Sequence, residues 1–109
     1  MAKFKISKDK RDEFRFNLHA NNGQVILSSE GYKQKSSCMN GIDSVKKNSQ
    51  TDSMFERLTA KNGKFHFNLK STNGQVIGSS QMYASESSME NGIASVAKNA
   101  PKADVEEVE

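Results

Sequence analysis

Apolar and polar residues alternate from the start of the chain. Phe4 and Ile6, then Phe14, Phe16, Leu18 and Ala20, are interleaved with Lys5, Ser7, Arg15, Asn17 and His19. A period of two puts one set on a buried face and the other on a wet face, so both stretches are predicted strands. The polar connection Lys8 to Asp12 between them suits a hairpin. Asn22-Gly23 marks a second tight turn, since both residues tolerate positive φ, and leads into a third strand at Val25-Ile26. Past Tyr32 the period changes. Cys38, Gly41, Ile42 and Val45 fall at i, i+3, i+4 and i+7, a single apolar stripe on a helix of about three turns.

The whole pattern is then written a second time. Phe4 to Asn48 aligns without a gap on Phe55 to Asn99, at a displacement of 51 residues, and 23 of the 45 pairs are identical. Asn62-Gly63 and Asn73-Gly74 mark the turns of the second copy. Asp12 stands where Gly63 does, and aspartate is one of the few other residues that visits the left-handed region. Met89, Gly92, Ile93 and Val96 repeat the helical stripe. The first strand of copy two is less regular, with Arg57 opposite Ile6 and Leu58 opposite Ser7, which predicts an edge or a bulge.

Ser36-Ser37 and Ser87-Ser88 stand just before the stripes and are candidate N-caps. Ser87 and Glu90 have capping-box spacing, which Met39 breaks in copy one. Asn48 and Asn99 end the helices, and Pro101 follows the second. Gly41 and Gly92 lie within the helices, where glycine costs roughly 0.5–1 kcal/mol relative to alanine. Their presence in both copies predicts a close approach of the helix to the sheet or to the other helix.

One copy buries too little surface to stand securely alone, so the copies are expected to share a core. The expectation is a single α+β domain of tandem β-β-β-α repeats (about 3–49 and 54–100). It forms one mainly antiparallel sheet with two helices packed on it, related by a pseudo-two-fold. Residues 101–109 are an acidic tail, which either supplies a last strand through Val105 and Val108 or is disordered.

The motifs Phe-Arg-Phe-Asn-Leu (14–18), Asn-Gly-Gln-Val-Ile (22–26), Ser-Ser-Glu-Gly-Tyr (28–32) and Asn-Gly-Ile-Asp-Ser-Val-Lys-Lys-Asn (40–48) carry a resemblance to the YegP-like family. It is a widespread, mainly bacterial family of domains of unknown function, and the resemblance covers roughly residues 3–100. It implies tandem β(3)-α-β units in a single sheet, with the strand after each helix exchanged; single-repeat relatives would assemble in the same way as dimers. Asp12, at the usual turn glycine, and Met39, at an often acidic position, depart from the pattern without threatening the fold. The resemblance implies architecture and no reaction.

Composition narrows function mainly by exclusion. Residues 1–49 carry ten Lys/Arg against five Asp/Glu, residues 50–99 five against four, and the tail one against four. The basic first repeat suits a solvated surface and, as an alternative reading, weak contacts to nucleic-acid phosphates. The start lacks an apolar run, no segment approaches the length of a membrane helix, and a lone Cys38 excludes an internal disulfide. These features predict a cytoplasmic protein with no membrane contact, a monomer with a dimer as the other option, and no identified partner.

No catalytic constellation, metal-ligand spacing or cofactor motif is present. His19 and His66 lie on the outward phase of the second strands and are not repeat equivalents. Cys38 lies on the inward stripe, as a small apolar residue does. Phe14-Arg15-Phe16 and Phe65-His66-Phe67 resemble base-stacking platforms, but the phenylalanines share the phase of Leu18 and Leu69 and so belong to the core. The candidate ligand site is the repeated set Ser28, Ser29, Tyr32, Ser36 and Ser37 with Ser79, Ser80, Tyr83, Ser87 and Ser88. It surrounds the strand-to-helix turns, where free N–H groups attract anions. The competing reading is that these serines cap helices and close turns while the tyrosine packs over them. The expected function is a non-enzymatic binding or accessory module. The alternatives are the nucleic-acid reading and an enzyme acting on a small anion at those turns.

Overall fold

The structure, a computed structural model, describes residues 2–108. The first repeat supplies β1 (Lys3–Lys8), β2 (Phe14–His19), β3 (Val25–Ser28) and α1 (Lys35–Asn48). The second supplies β4 (Phe55–Thr59), β5 (Phe65–Lys70), β6 (Val76–Ser79) and α2 (Glu86–Asn99), and the tail forms β7 (Asp104–Glu107). All seven strands join one sheet in the order β4-β5-β6-β3-β2-β1-β7. The repeats meet at its centre, where β3 and β6 run antiparallel and Ser28 faces Ser79.

The alternation read from the sequence sets the two faces. Phe4, Ile6, Phe16, Leu18, Phe67 and Leu69 are buried beneath the helices. Their neighbours Lys5, Arg15, Asn17, His66 and Asn68 lie on the opposite phase and remain partly exposed. Both helices pack on that one face and cross the repeat boundary: α1 rests on β2, β5 and β6, and α2 on β5 and β3. The apolar residues therefore form a single core cluster shared by both repeats. At roughly 1.5–3 kcal/mol for each fully buried large side chain, sharing that core is what makes two fifty-residue units one stable body.

The hairpins follow the expected chemistry. Asp12 adopts φ 64° where Gly63 has φ 82°. Asp9 secures the first turn, accepting from the Arg11 and Glu13 amides at 2.9 and 3.0 Å and pairing with Arg15 at 2.6 Å. The sheet centre is where two-fold symmetry cannot hold. A Cβ added to Gly78 would lie 2.7 Å from Leu27 atoms, so the leucine of copy one occupies the space that its counterpart leaves empty.

β4 is an edge strand in unbroken register with β5, as the irregular first strand of copy two suggested. Arg57 stands on the helix side at the position of Ile6. It reaches Glu90 on α2 through two bonds, at 2.6 and 3.0 Å, and Asp52 at 2.9 Å. The strand following each helix sits with the other half of the sheet: β4 beside β5, and β7 parallel to β1. The side chains of Val105 and Val108 are 38% and 43% exposed and add little burial to the tail. β7 is held instead by buried Ala103, by the Val108 amide on the Ile6 carbonyl, and by Lys3–Glu106 and Lys35–Glu107 ion pairs.

Candidate functional site

The repeated serine and tyrosine turns are built identically. The chain leaving β3 returns to β2, where Phe14 and Tyr32 exchange backbone hydrogen bonds of 2.7 Å in each direction; Phe65 and Tyr83 exchange the matching pair at 2.8 and 2.7 Å. Each tyrosine ring stacks on the core phenylalanine of the second strand, Tyr32 on Phe16 and Tyr83 on Phe67, with centroids 6.3 Å apart in both. The ring then lies against the helix where a side chain would stand. A Cβ on Gly41 would sit 2.5 Å from the Tyr32 hydroxyl, and Gly92 is occluded by Tyr83 in the same way. The intrahelical glycines and the tyrosines therefore explain one another.

Ser29 and Ser80 are equally committed. The Ser29 hydroxyl accepts the Phe16 amide at 2.9 Å and donates to the Glu30 carbonyl at 2.8 Å. Ser80 repeats both bonds with Phe67 and Gln81, at 2.9 and 2.8 Å. Each hydroxyl closes the gap where the third strand pulls away from the second, leaving an amide that would otherwise be buried without a partner.

The remaining serines are not gathered with them. Ser28 and Ser79 share the outward phase of Asn17 and Asn68, on the sheet face away from the helices. Ser36, Ser37, Ser87 and Ser88 are exposed in the first helical turns. The N-caps fall earlier than the serine pairs. They are Gln34, whose side chain makes no cap bond, and Ser85, which accepts the Ser88 amide at 3.1 Å. The capping box expected of Ser87 and Glu90 is absent, because with Ser85 as the N-cap Ser87 already lies inside the helix; Glu90 pairs with Arg57 instead. The reason for the shift is tertiary: pinning Tyr32 and Tyr83 to the sheet forces the turn immediately afterwards, so the helices start before the serine pairs.

A different surface, at the β2–β3 hairpin, collects chemistry from both repeats. Asn21 borders three depressions: one on the open sheet face with Lys3, Lys5 and His19, one with Lys98 and Lys102, and one along the last turns of α2. Sequence reasoning missed Asn21, Lys98 and Lys102, because Asn21 lies far in the chain from the two lysines. Divergence between copies marks only the sheet side of this surface, since the positions matching Lys3, Lys5 and His19 are Met54, Glu56 and Lys70, whereas Lys98 matches Lys47.

A model of a domain of unknown function, DUF1508, matches residues 9–56 and again residues 60–107. The chain belongs to the DUF1508 family. It is 58% identical over 105 residues to the UPF0339 protein in the ptx operon 5′ region of Stutzerimonas stutzeri, covering 96% of this chain and 95% of that one. It is 54% identical over 96 residues to the UPF0339 protein YegP of Escherichia coli K12, covering 88% and 87%. The solution structure of E. coli YegP, a protein of unknown function, superposes with a TM-score of 0.93 at 50% identity, covering 97% of this chain and 91% of that one. UPF0339 protein SO3888 of Shewanella oneidensis superposes with a TM-score of 0.92 at 45% identity, covering 97% and 90%.

The two DUF1508 matches are displaced by the same 51 residues as the internal repeat, and each ends inside the strand that follows a helix. A DUF1508 unit thus closes with a strand that it lends to the other half of the sheet. Other reactive residues of this DUF1508 chain are quiet. Cys38 is buried and unpaired, and burial pushes its thiol pKa up. Burial likewise raises the Tyr32 phenol, with smaller contributions from Cys38 and Glu30. His19 makes one bond, its Nδ1 donating to the Gly23 carbonyl at 3.1 Å. Among the described residues no group of His, Cys, Asp or Glu could hold a metal ion, and no helix is long and apolar enough to cross a membrane.

Proposed function

We propose that the protein is a non-enzymatic binding or accessory module of the cytoplasm. The observation that carries this reading is the state of the repeated turns. Ser29 and Ser80 each hold two hydrogen bonds within the fold, and the tyrosines are packed over glycine. A serine nucleophile needs a base within hydrogen-bond reach and a free path to substrate; these hydroxyls touch only backbone groups. A free cysteine in the core suits a reducing compartment. The polar surface that the fold leaves unengaged is therefore the part available for recognition.

Tyr32→Phe and Tyr83→Phe test this directly. With ring packing as their role, removal of both hydroxyls leaves stability within about 0.5 kcal/mol per site and leaves ligand binding unchanged. Turnover of any small anionic substrate that is lost in the double variant, with its melting temperature preserved, would replace this reading with an enzymatic one.

A further inference from the structure

The charged residues that line the depressions around Asn21 are all cationic. Of its three depressions, those with Lys3 and Lys5 and with Lys98 and Lys102 are each about 240 Å³, and the one along α2 is about 390 Å³. Lysines, one histidine, asparagines and a serine supply the polar lining, and no aspartate or glutamate contributes to any of the three. Of the four lysines, only Lys3 makes an ion pair among the described residues, with Glu106 at 3.0 Å. Lys98 and Lys102 make no ion pair among the described residues, and Lys5 has Glu106 only as its cross-strand neighbour on β7. The second repeat supplies an internal control, because the matching corner would hold Glu56 for Lys5 and Asp43 for Ala94. The single-sign charge belongs to this chain's side chains at one corner and is not a by-product of the fold.

The lining also indicates what would bind. Protein interface cores favour aromatic residues, methionine and arginine and are poor in lysine; this corner has the reverse composition. Single-stranded nucleic acid needs aromatic faces on which bases stack, and none borders the corner. Lysine ammonium groups beside asparagine amides suit phosphate and sugar oxygens, which carry charge but no base identity. The tail bounds this surface: Glu106 has its acidity strengthened by Lys3 first, then by Lys5 and His19, so one carboxylate already lies against the cationic group.

Building on the binding-module reading, we propose that this corner grips the phosphate backbone of a nucleic-acid duplex, with Lys5, Lys98 and Lys102 supplying the charge around Asn21. The test is fluorescence anisotropy with a labelled blunt DNA duplex of about two helical turns, titrated across about 50 to 200 mM salt. Gel analysis of the duplex is run in parallel. Binding that weakens linearly in log–log form is expected, and Lys98→Gln with Lys102→Gln should lower that slope by about 2. Lys61→Gln with Lys64→Gln, on the hairpin at the far edge of the sheet, should leave it unchanged. Glu106→Gln should tighten binding. No binding at the lowest salt, an equal loss in the far-edge variant, or tighter binding of the single strand or of a poly-glutamate peptide would overturn the proposal while leaving the module reading intact. Cleavage of the duplex by wild-type protein, lost in a stable point variant, would instead overturn the module reading.

Discussion

The two repeats are alike in their turns and differ at their margins. Both bury a phenylalanine pair at an edge-to-face angle, stack a tyrosine on one of its rings, and set a glycine beneath that tyrosine. Yet β1 carries a further strand on its outer side, whereas β4 has none among the described residues. The side chains explain the sorting. Lys3 and Lys5 stand in register with Asp104 and Glu106 of the tail. At the matching positions of β4 the tail would meet Met54 and Glu56, and like charges directly opposite on a sheet are unfavourable. A polar, ion-paired side chain on an exposed edge also discourages pairing with foreign strands, and Arg57 is such a side chain. Duplication supplied two equivalent edges, and divergence made one receptive and the other guarded.

The largest expected break in this comparison is at the sheet centre. Leu27→Gly should cost about 3–5 kcal/mol, from lost burial and a cavity in the shared core. Adding Gly78→Leu, which moves the leucine to the mirror position, should restore more than half of that loss in urea denaturation. A double variant no better than Leu27→Gly alone would show that the two sites are not related as the pseudo-two-fold requires.

Exchanging the edge residues should separate the repeats next. Ile6 is 2% exposed, and its neighbour at the position of Glu90 is Met39. Ile6→Arg therefore puts a charge in the core without a carboxylate and should cost roughly 3 kcal/mol or more. Arg57→Ile removes an exposed ion pair and should stay within about 1 kcal/mol. The same variant sharpens the pH response. Arg57 holds the Glu90 carboxyl below its ordinary value of 4.5, so this contribution is present above that pH and is lost as pH falls through the lowered folded value. Arg57→Ile should flatten the stability curve in that acid range; an unchanged slope would assign the acid sensitivity to other carboxylates.

The smallest difference lies at the helix starts. Ser85→Ala should cost about 1 kcal/mol by removing the one side-chain cap, while Gln34→Ser should stabilise α1 by a similar amount. Equal and opposite shifts in thermal unfolding would confirm that the helices start at matching positions, whereas destabilisation by Gln34→Ser would count against it.

Much of this was legible in the chain. The period-two alternation in Phe14–His19 and the i, i+3, i+4, i+7 stripe through Cys38 and Val45 fixed which side chains face the core, because faces follow from local geometry alone. The 51-residue displacement fixed the number of units, and Asp12 could be read as a left-handed turn residue before its φ was known. The serine and tyrosine turns were legible as a repeated feature but not as a packing unit, because Tyr32 and Gly41 interlock only once the helix lies across the sheet.

The amino-acid sequence by itself determined the strands, hairpins and helices, which rest on neighbours within a few residues, and the duplication, which is a direct comparison of the chain with itself. Only the tertiary structure decided which edge the acidic tail covers, why Gly41 and Gly92 are glycine, and that Lys5 on one side and Lys98 and Lys102 on another line depressions bordered by Asn21. Those outcomes depend on contacts between residues as far apart as Lys3 and Glu106. No local pattern encodes such contacts, because they arise when charge and volume are matched across the assembled sheet.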